Sequence, residues 1–264
     1  MKHVRQQEIL ALIRQESYVS TEALANHFKV SAQTIRRDLE ELEQQGIVNK
    51  MYGGASLVGG EVSDSNFSFY SYIPSTEYEK EKEAICMKGM DYVNDGDTIA
   101  LDVGSTTRLL VSHLNKKNNL VIITKDMLVA SALYNHPTNR VYLIGGFLGA
   151  SGTTSGEFIR EFLESVSKID LFFLSTNGIT VAEGFTNDYA GVETYRAYFL
   201  PLAMKRVALA DHTKFGNIGF YRTCDLTDVD HIITDSGVDR KIVEDMRMAG
   251  ADVIIADTNT KAGA

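Results

Sequence analysis

Cysteine is almost missing from this chain. There are two in 264 residues, Cys86 and Cys224, far apart and in no Cys-x-x-Cys pair. That excludes a disulfide scaffold and zinc sites of the usual spacing, and neither a metal nor a cofactor is expected. No apolar run approaches the ~18–20 residues that span a bilayer, so no membrane partner is expected. The first ten residues, MKHVRQQEIL, lack the apolar stretch of a secretory signal. A reduced, cytoplasmic protein with both thiols buried as small hydrophobes is the expectation. Proline is scarce, at 3 residues. With 44% hydrophobic and 23% charged residues, the chain is neither collagen-like nor mainly disordered. At ~150 residues per domain it holds one large domain or two unequal ones, with enough chain to bury a core unaided.

Positive charge is also in deficit, with 26 Lys+Arg against 35 Asp+Glu and a net charge of −9. The deficit is uneven. Residues 1–58 hold seven of each sign, and residues 59–264 carry the whole imbalance. A small nucleic-acid-binding domain at the N-terminus is therefore compatible with an acidic protein, provided its few basic residues point one way.

Two changes of texture divide the sequence. Up to Leu57 the apolar positions follow helix spacing: Ile9, Leu10, Leu12 and Ile13, then Leu24 and Phe28, then Ile35, Leu39 and Leu42. Residues 58–76 are rich in Gly, Ser, Asn and Tyr and read as a linker. The partial alternation of Phe67, Phe69, Tyr70 and Tyr72 suits an arm docked in extended form. From residue 77, seven short apolar runs (98–103, 120–124, 140–146, 170–175, 206–211, 231–235 and 252–257) alternate with helical stretches. That pattern predicts a mostly parallel sheet covered on both faces, with ligands beyond the carboxyl ends of the strands.

The segment STEALANHFKVSAQTIRRDLEELEQQG, residues 20–46, predicts a helix-turn-helix. Ser20 or Thr21 can cap one helix, Ser31 the next, and Gly46 suits the end of the second. Ile35, Leu39 and Leu42 share its inner face. Ala32, Gln33, Thr34, Arg36 and Arg37 occupy its first turns, on other faces. In a recognition helix those positions meet base edges, where Gln pairs with adenine and Arg with guanine. Two short β-prone stretches around a turn after Gly46 suit a wing, with Lys50 and Tyr52 near phosphates. The same helices could instead be a packing module whose arginines simply meet solvent.

The entry YVSTEALA, the segment TIRRDL (Thr34 to Leu39) and the glycines Gly53 and Gly54 of the wing resemble the DeoR family of bacterial transcription regulators, and the resemblance extends over nearly the whole chain. It implies an α/β protein with a winged helix-turn-helix at 1–57, a linker at 58–76 and a sensor domain at 77–264. That sensor would be a doubly wound α/β domain resembling ribose-5-phosphate isomerase and glucosamine-6-phosphate deaminase. It also implies a repressor of a carbohydrate catabolic operon, not an enzyme, released from double-stranded operator DNA by a sugar phosphate or related effector. One helix-turn-helix reads few base pairs, so a homodimer or homotetramer is expected.

Asp102-Val-Gly104-Ser105-Thr106-Thr107 follows one apolar run and opens a helix, an arrangement that suits an anion; many such turns carry Gly and Ser merely as a cap. The resemblance favours the phosphate, with Asp102 orienting ligand hydroxyls or the loop backbone. Other strand ends deliver Thr124-Lys125-Asp126, Gly145-Gly146, Asn177-Gly178, and Asp211 with Lys214 to the same edge. The glycines serve backbone approach, Lys214 an anion and Asp211 a hydroxyl; His212 reads as a polar loop residue. Two departures from the family pattern stand out. Lys125-Asp126 follow Thr124 where relatives have Asn and a small polar residue. Tyr195 stands where they have Lys and Gly191 where they have Glu. Either Lys125 supplies the missing charge, or the ligand is less phosphorylated or bulkier. Arg108 and Arg196 are alternative cations or surface charges. An isomerase- or deaminase-like enzyme with a DNA-binding appendage is the alternative class, and a protein-contact module the third.

Overall fold

A computed structural model describes residues 2–16, 18–44, 47–51, 54–57, 78–149, 152–156, 158–189 and 191–258. The chain divides into two units, residues 1–75 and 76–264. The linker aromatics, Tyr52, Gly53 and Gly46 lie outside the described residues.

The first unit runs α1 (Lys2–Glu16), β1 (Tyr18–Ser20), α2 (Thr21–Phe28), α3 (Ala32–Gln44), β2 (Val48–Met51) and β3 (Gly54–Leu57). Ser20 caps α2 by accepting from the Ala23 N–H at 3.0 Å. Lys29 ends α2 in the left-handed conformation (φ 52°), and its N–H reaches the carbonyls of Ala25 and Asn26. That reversal leaves three residues between the helices. Ser31 then caps α3, accepting from the Thr34 N–H at 3.2 Å. Ile35, Leu39 and Leu42 turn inward onto Leu24, Ile9, Leu10 and Ile13, with Phe28 packed at the margin. The strands form an antiparallel sheet in the order β1-β3-β2. The hairpin after α3 is the expected wing.

In the second unit, α4 (Glu79–Gly89) precedes β4 (Thr98–Leu101), α5 (Ser105–Leu114), β5 (Val121–Thr124), α6 (Met127–Leu133) and β6 (Arg140–Leu143). Next come the short strands β7 (Phe147–Leu148) and β8 (Thr154–Ser155), α7 (Phe158–Glu164) and β9 (Ile169–Leu174). Then follow β10 (Gly178–Thr180), β11 (Gly184–Asn187), α8 (Val192–Leu202), β12 (Ala203–Leu209) and β13 (Tyr221–Cys224). The chain closes on β14 (His231–Asp235), α9 (Arg240–Met248) and β15 (Val253–Ala256).

Each of the seven apolar runs is one strand of a parallel sheet in the order β15-β14-β12-β9-β4-β5-β6. Side chains alternate between two cores, as the pleat requires. Ile99, Leu101 and Phe173 meet Ile85, Leu110 and Leu133 on one face. Ala100, Phe172 and Leu174 meet Ile159, Phe199 and Met246 on the other. Strand order reverses at β4: the chain winds outward to β6, then returns to β9 on β4's other side. The crevice at that switch point lies beyond the ends of β4 and β9.

A second, antiparallel sheet, β10-β11-β13, is not foreseen by the sequence pattern. Its strands are three or four residues long, too short to show a period. α4 escapes too, because its first turns are charged (EKEKEA) and its buried side is read only after folding.

Both cysteines are buried and free. The Cys86 Sγ donates to the Thr106 carbonyl at 3.1 Å. Burial, reinforced by the charge of Glu83, pushes the Cys86 thiol well above its ordinary range. Burial also pushes Cys224 up to about 11. The thiolate is the reactive form, so the native protein at pH 8 should show almost no fast reaction with a disulfide reagent. Two thiols per chain should appear on adding denaturant, and a rapid native reaction would contradict the burial.

Candidate functional site

The N-terminal site is the start of α3. Ser31, Gln33, Arg36 and Arg37 are exposed, Ala32 and Thr34 half-buried, and Ile35 is buried. The Ser31 and Thr34 hydroxyls bond each other at 2.9 Å, fixing the first turn. The acid that follows the arginines does not face solvent: Asp38 is buried and held by Arg5 Nε at 2.5 Å. Gln6 donates to Glu41 at 2.9 Å. Contacts with α1 thus withdraw Asp38 and engage Glu41, while Gln33, Arg36 and Arg37 stay on the outside. Lys50 lies on β2 opposite Ala55 in the wing.

The second site is the carboxyl edge of the parallel sheet. At the switch point the loops after β4 and β9 lie side by side. Ser175 Oγ donates to the Val103 carbonyl at 2.5 Å, and the Ser175 N–H donates to Asp102 at 3.3 Å. Gly104 permits this approach, since a Cβ there would lie 2.6 Å from Ser175 Oγ.

Asp102 is buried, and its Oδ1 accepts from the Val103 N–H at 2.8 Å. Its Oδ2 takes the guanidinium of Arg196, at 3.2 Å from Nε and 2.7 Å from Nη2. Arg196 is fully buried, and it also donates to Thr223 Oγ1 at 2.6 Å and to the Ser175 carbonyl. Arg196 is therefore neither a surface charge nor a cation left for a ligand. Arg108 is likewise committed, at 2.6 Å from the fully buried Asp126. Asp126 also caps α6, accepting from the Leu128 N–H at 2.9 Å. The two acids closest to the loop are thus neutralised in place.

Hydroxyls in the 104–107 turn divide. Thr107 Oγ1 donates back to the Gly104 carbonyl at 2.9 Å, and Thr106 is buried. Ser105 is half-buried. No side chain caps the N-terminus of α5, so its first N–H groups and partial positive charge face the edge. Thr124 is spent inside: it donates to the Leu101 carbonyl at 3.2 Å and accepts from the Asp126 N–H at 3.0 Å.

Lys125 Nζ lies 4.6 Å from the centroid of the Tyr195 ring, an attractive cation–π geometry. Tyr195 is buried, 4.4 Å from the Phe199 ring, and its hydroxyl donates to the Leu101 carbonyl at 3.4 Å. Burial, with the Asp102 charge, holds this phenol well above its ordinary range, so it is neutral.

Elsewhere along the edge, Asn177 Oδ1 accepts from Asn187 at 3.2 Å. Gly178 packs against the Asn217 carbonyl, with no room for a side chain. Gly145 is open, whereas Gly146 (φ +145°) abuts the Ser155 carbonyl. Asp211 Oδ1 accepts from the Thr213 N–H at 3.0 Å, and its buried Oδ2 finds no partner among the described residues. Lys214 follows half-buried, and His212 is held by Asp235 at 2.8 Å. Among the described residues there is no cluster of three His, Cys, Asp or Glu suited to a metal, and no helix long and apolar enough to cross a membrane.

Ser175, Thr223 and the internal role of Arg196 escape sequence reading. Ser175 ends an apolar run and could be found by the same strand-end rule as Asn177. Arg196 carries a signal too: one cation among Tyr195, Tyr198 and Phe199 needs a buried partner.

A helix-turn-helix unit joined to a doubly wound α/β domain, with an anion-suited helix start at its switch point, has the architecture of a ligand-responsive transcription regulator. Residues 5–59 match the DeoR-like helix-turn-helix domain and residues 77–236 the DeoR C terminal sensor domain. The HTH-type transcriptional regulator GolR of Listeria innocua is 33% identical over 96% of this chain and 98% of its own. The glycerol-3-phosphate regulon repressor of Escherichia coli is 33% identical over 88% and 90%. The lactose phosphotransferase system repressor of Staphylococcus epidermidis is 30% identical over 89% and 92%. The chain belongs to the DeoR family of DNA-binding transcription regulators. Among solved structures, ribose 5-phosphate isomerase A from Neisseria gonorrhoeae aligns over 51% of this chain and 52% of its own at 16% identity and TM-score 0.38.

The Asp102–Arg196 pair makes a sharp prediction. Removing one partner of a buried ion pair leaves a stranded charge and costs about 3–5 kcal/mol, whereas replacing both is far milder. Asp102→Asn should lower the unfolding free energy of the sensor domain, read from urea denaturation, by that amount. The double variant Asp102→Asn with Arg196→Met should recover part of the loss, and strict additivity would show that the two do not act as a pair.

Proposed function

We propose that this protein is a cytoplasmic repressor of a carbohydrate catabolic operon, released from its operator by a sugar phosphate or related anion. The observation that carries the reading is the outward presentation of Gln33, Arg36 and Arg37 on a capped α3, in one chain with a sensor domain. In this reading residues 1–57 bind DNA, 58–76 link and 77–264 sense. Ser31, Ala32 and Thr34 set the first turn of the recognition helix, and Lys50 and Tyr52 of the wing meet phosphates. Two recognition helices read the two halves of an operator, so the working form is a homodimer or homotetramer. The names of the glycerol-3-phosphate and lactose relatives support the carbohydrate link.

The effector's anion sits at the start of α5, against the N–H groups of residues 105–107, with Lys125 and Lys214 supplying charge. The buried Oδ2 of Asp211 accepts a ligand hydroxyl. Gly104, Gly145, Gly146 and Gly178 let backbone approach, while Asp102, Thr106, Thr107, Thr124, Asp126 and Asn177 hold the rim. Locking Asp102 and Asp126 into ion pairs favours sensing over turnover, because a general acid or base must exchange its proton.

Arg36→Ala and Arg37→Ala should each weaken operator binding at least ~10-fold, a loss of about 1.4 kcal/mol within the ~1–3 expected for a base contact. The fold should be unchanged by circular dichroism. A folded double variant with wild-type affinity and salt dependence would sink the assignment.

Ser105→Asp tests the effector site. A carboxylate in the first turn favours the helix, so the thermal midpoint should hold or rise while the anion site is filled. The variant should bind operator as wild type does but fail to release it across a panel of sugar phosphates that release wild type. Release only follows differential binding to the two states. Normal release would put the pocket elsewhere.

A further inference from the structure

We propose that β6, the β7–β8 ribbon and the start of α7 form the face through which a second copy of this chain docks; this rests on the reading that the regulator works as a pair on DNA. β6 is an edge of the parallel sheet, and no described strand pairs with its outer side. An open edge carries unpaired N–H and C=O groups and normally needs a charged guard. β15, at the opposite edge, has one at each end in Asp252 and Asp257. β6 has none. It instead presents Tyr142 and Leu143 to solvent, followed by Phe147 and Leu148 on β7. Phe147 is 76% exposed, and Phe158 at the start of α7 is 62% exposed. These belong together: Gly156 brings Phe158 to Gly146, one residue before Phe147. Five large apolar side chains grouped on one edge mark an interaction surface.

Charge identifies the occupant. The chain is at −9 with 35 acidic residues, yet residues 127–156 contain none, and their one charged residue is Arg140. Two copies repel over most of their surface. Along β6 and the β7–β8 ribbon they bring no acid against acid, and the acidic residues flanking Phe158 in sequence, Glu157 and Glu161, give the second copy's Arg140 its opposite charge. A two-fold pairing places the same patch on both sides, so one apolar edge satisfies the other.

The test uses the full-length protein at matched concentration, with mass read by sedimentation equilibrium and folding by near-ultraviolet circular dichroism. Two patch variants are made: Leu143→Glu with Phe147→Glu, and Leu143→Lys with Phe147→Lys. In a symmetric interface each new charge appears on both sides. Each variant alone should stay folded and lose at least ~100-fold in self-association, and mixing the two should restore it. Ile218→Ser with Phe220→Ser, which removes a separate pair of exposed apolar residues, should leave the mass unchanged. The surface is overturned if the charged variants keep wild-type association, if mixing restores nothing, or if only the Ile218/Phe220 variant dissociates. Operator binding by the wild type is measured alongside. Wild type that binds operator while the patch variants stay associated refutes this face alone. Patch variants that dissociate while wild type ignores DNA refute the regulator reading alone.

Discussion

One side chain holds the sensor domain's switch point together. Arg196, fully buried on α8, grips Asp102 at the end of β4, the Ser175 carbonyl at the end of β9 and Thr223 on β13. These groups come from both halves of the sheet and from the small antiparallel sheet beside it. A buried guanidinium is tolerable only when its donors are met, so the four elements are tied to one arrangement. The loop that opens α5 inherits its position from that tie. Asp102 fixes the Val103 N–H, Ser175 fixes the Val103 carbonyl, and Gly104 leaves room for both.

The two units solve opposite electrostatic problems. Residues 1–58 of the DNA-binding unit are neutral overall, and they make a basic face by subtraction. Asp38 is drawn inside by Arg5, so Arg36 and Arg37 are not offset by the acid next in sequence. The sensor is strongly acidic, and at its carboxyl edge Arg196 and Arg108 cancel Asp102 and Asp126. In the proposed effector site the helix start and Lys214 then face an approaching anion, with Lys125 held over the Tyr195 ring. Both devices depend on contacts between residues far apart in sequence. Composition alone therefore misleads in both units.

Most of the architecture was legible. Seven apolar runs gave seven parallel strands because a strand covered on both faces must be apolar throughout. Ser20 and Ser31 announced their helices because a cap is a local bond. The antiparallel sheet was not legible, since strands such as Gly178–Thr180 are too short to carry a period. Of the site, the strand-end rule found the loops but not their internal commitments. Thr107 and Thr124 looked like ligand hydroxyls and spend their bonds on backbone carbonyls. Arg196 and Arg108 looked like spare cations, and each has a buried aspartate that only the fold brings near. Tyr195 appeared only as a missing charge. In the structure it is a buried ring beneath Lys125.

The separation of Asp102 from Arg196 bears on how the chain is made. They stand ninety-four positions apart. As the protein is synthesised, the helix-turn-helix has all its core residues, Ile9 to Ala55, long before the sensor has any. β4, β5 and β6 then emerge with their apolar residues ready to pack, but closing over Asp102 would bury a charge whose counterion does not yet exist. The first half of the sensor sheet must wait, open at its centre, until α8 is released. The DNA-binding unit is finished early because it is made first, and the placement of one arginine keeps the sensor's switch point open until α8 is made.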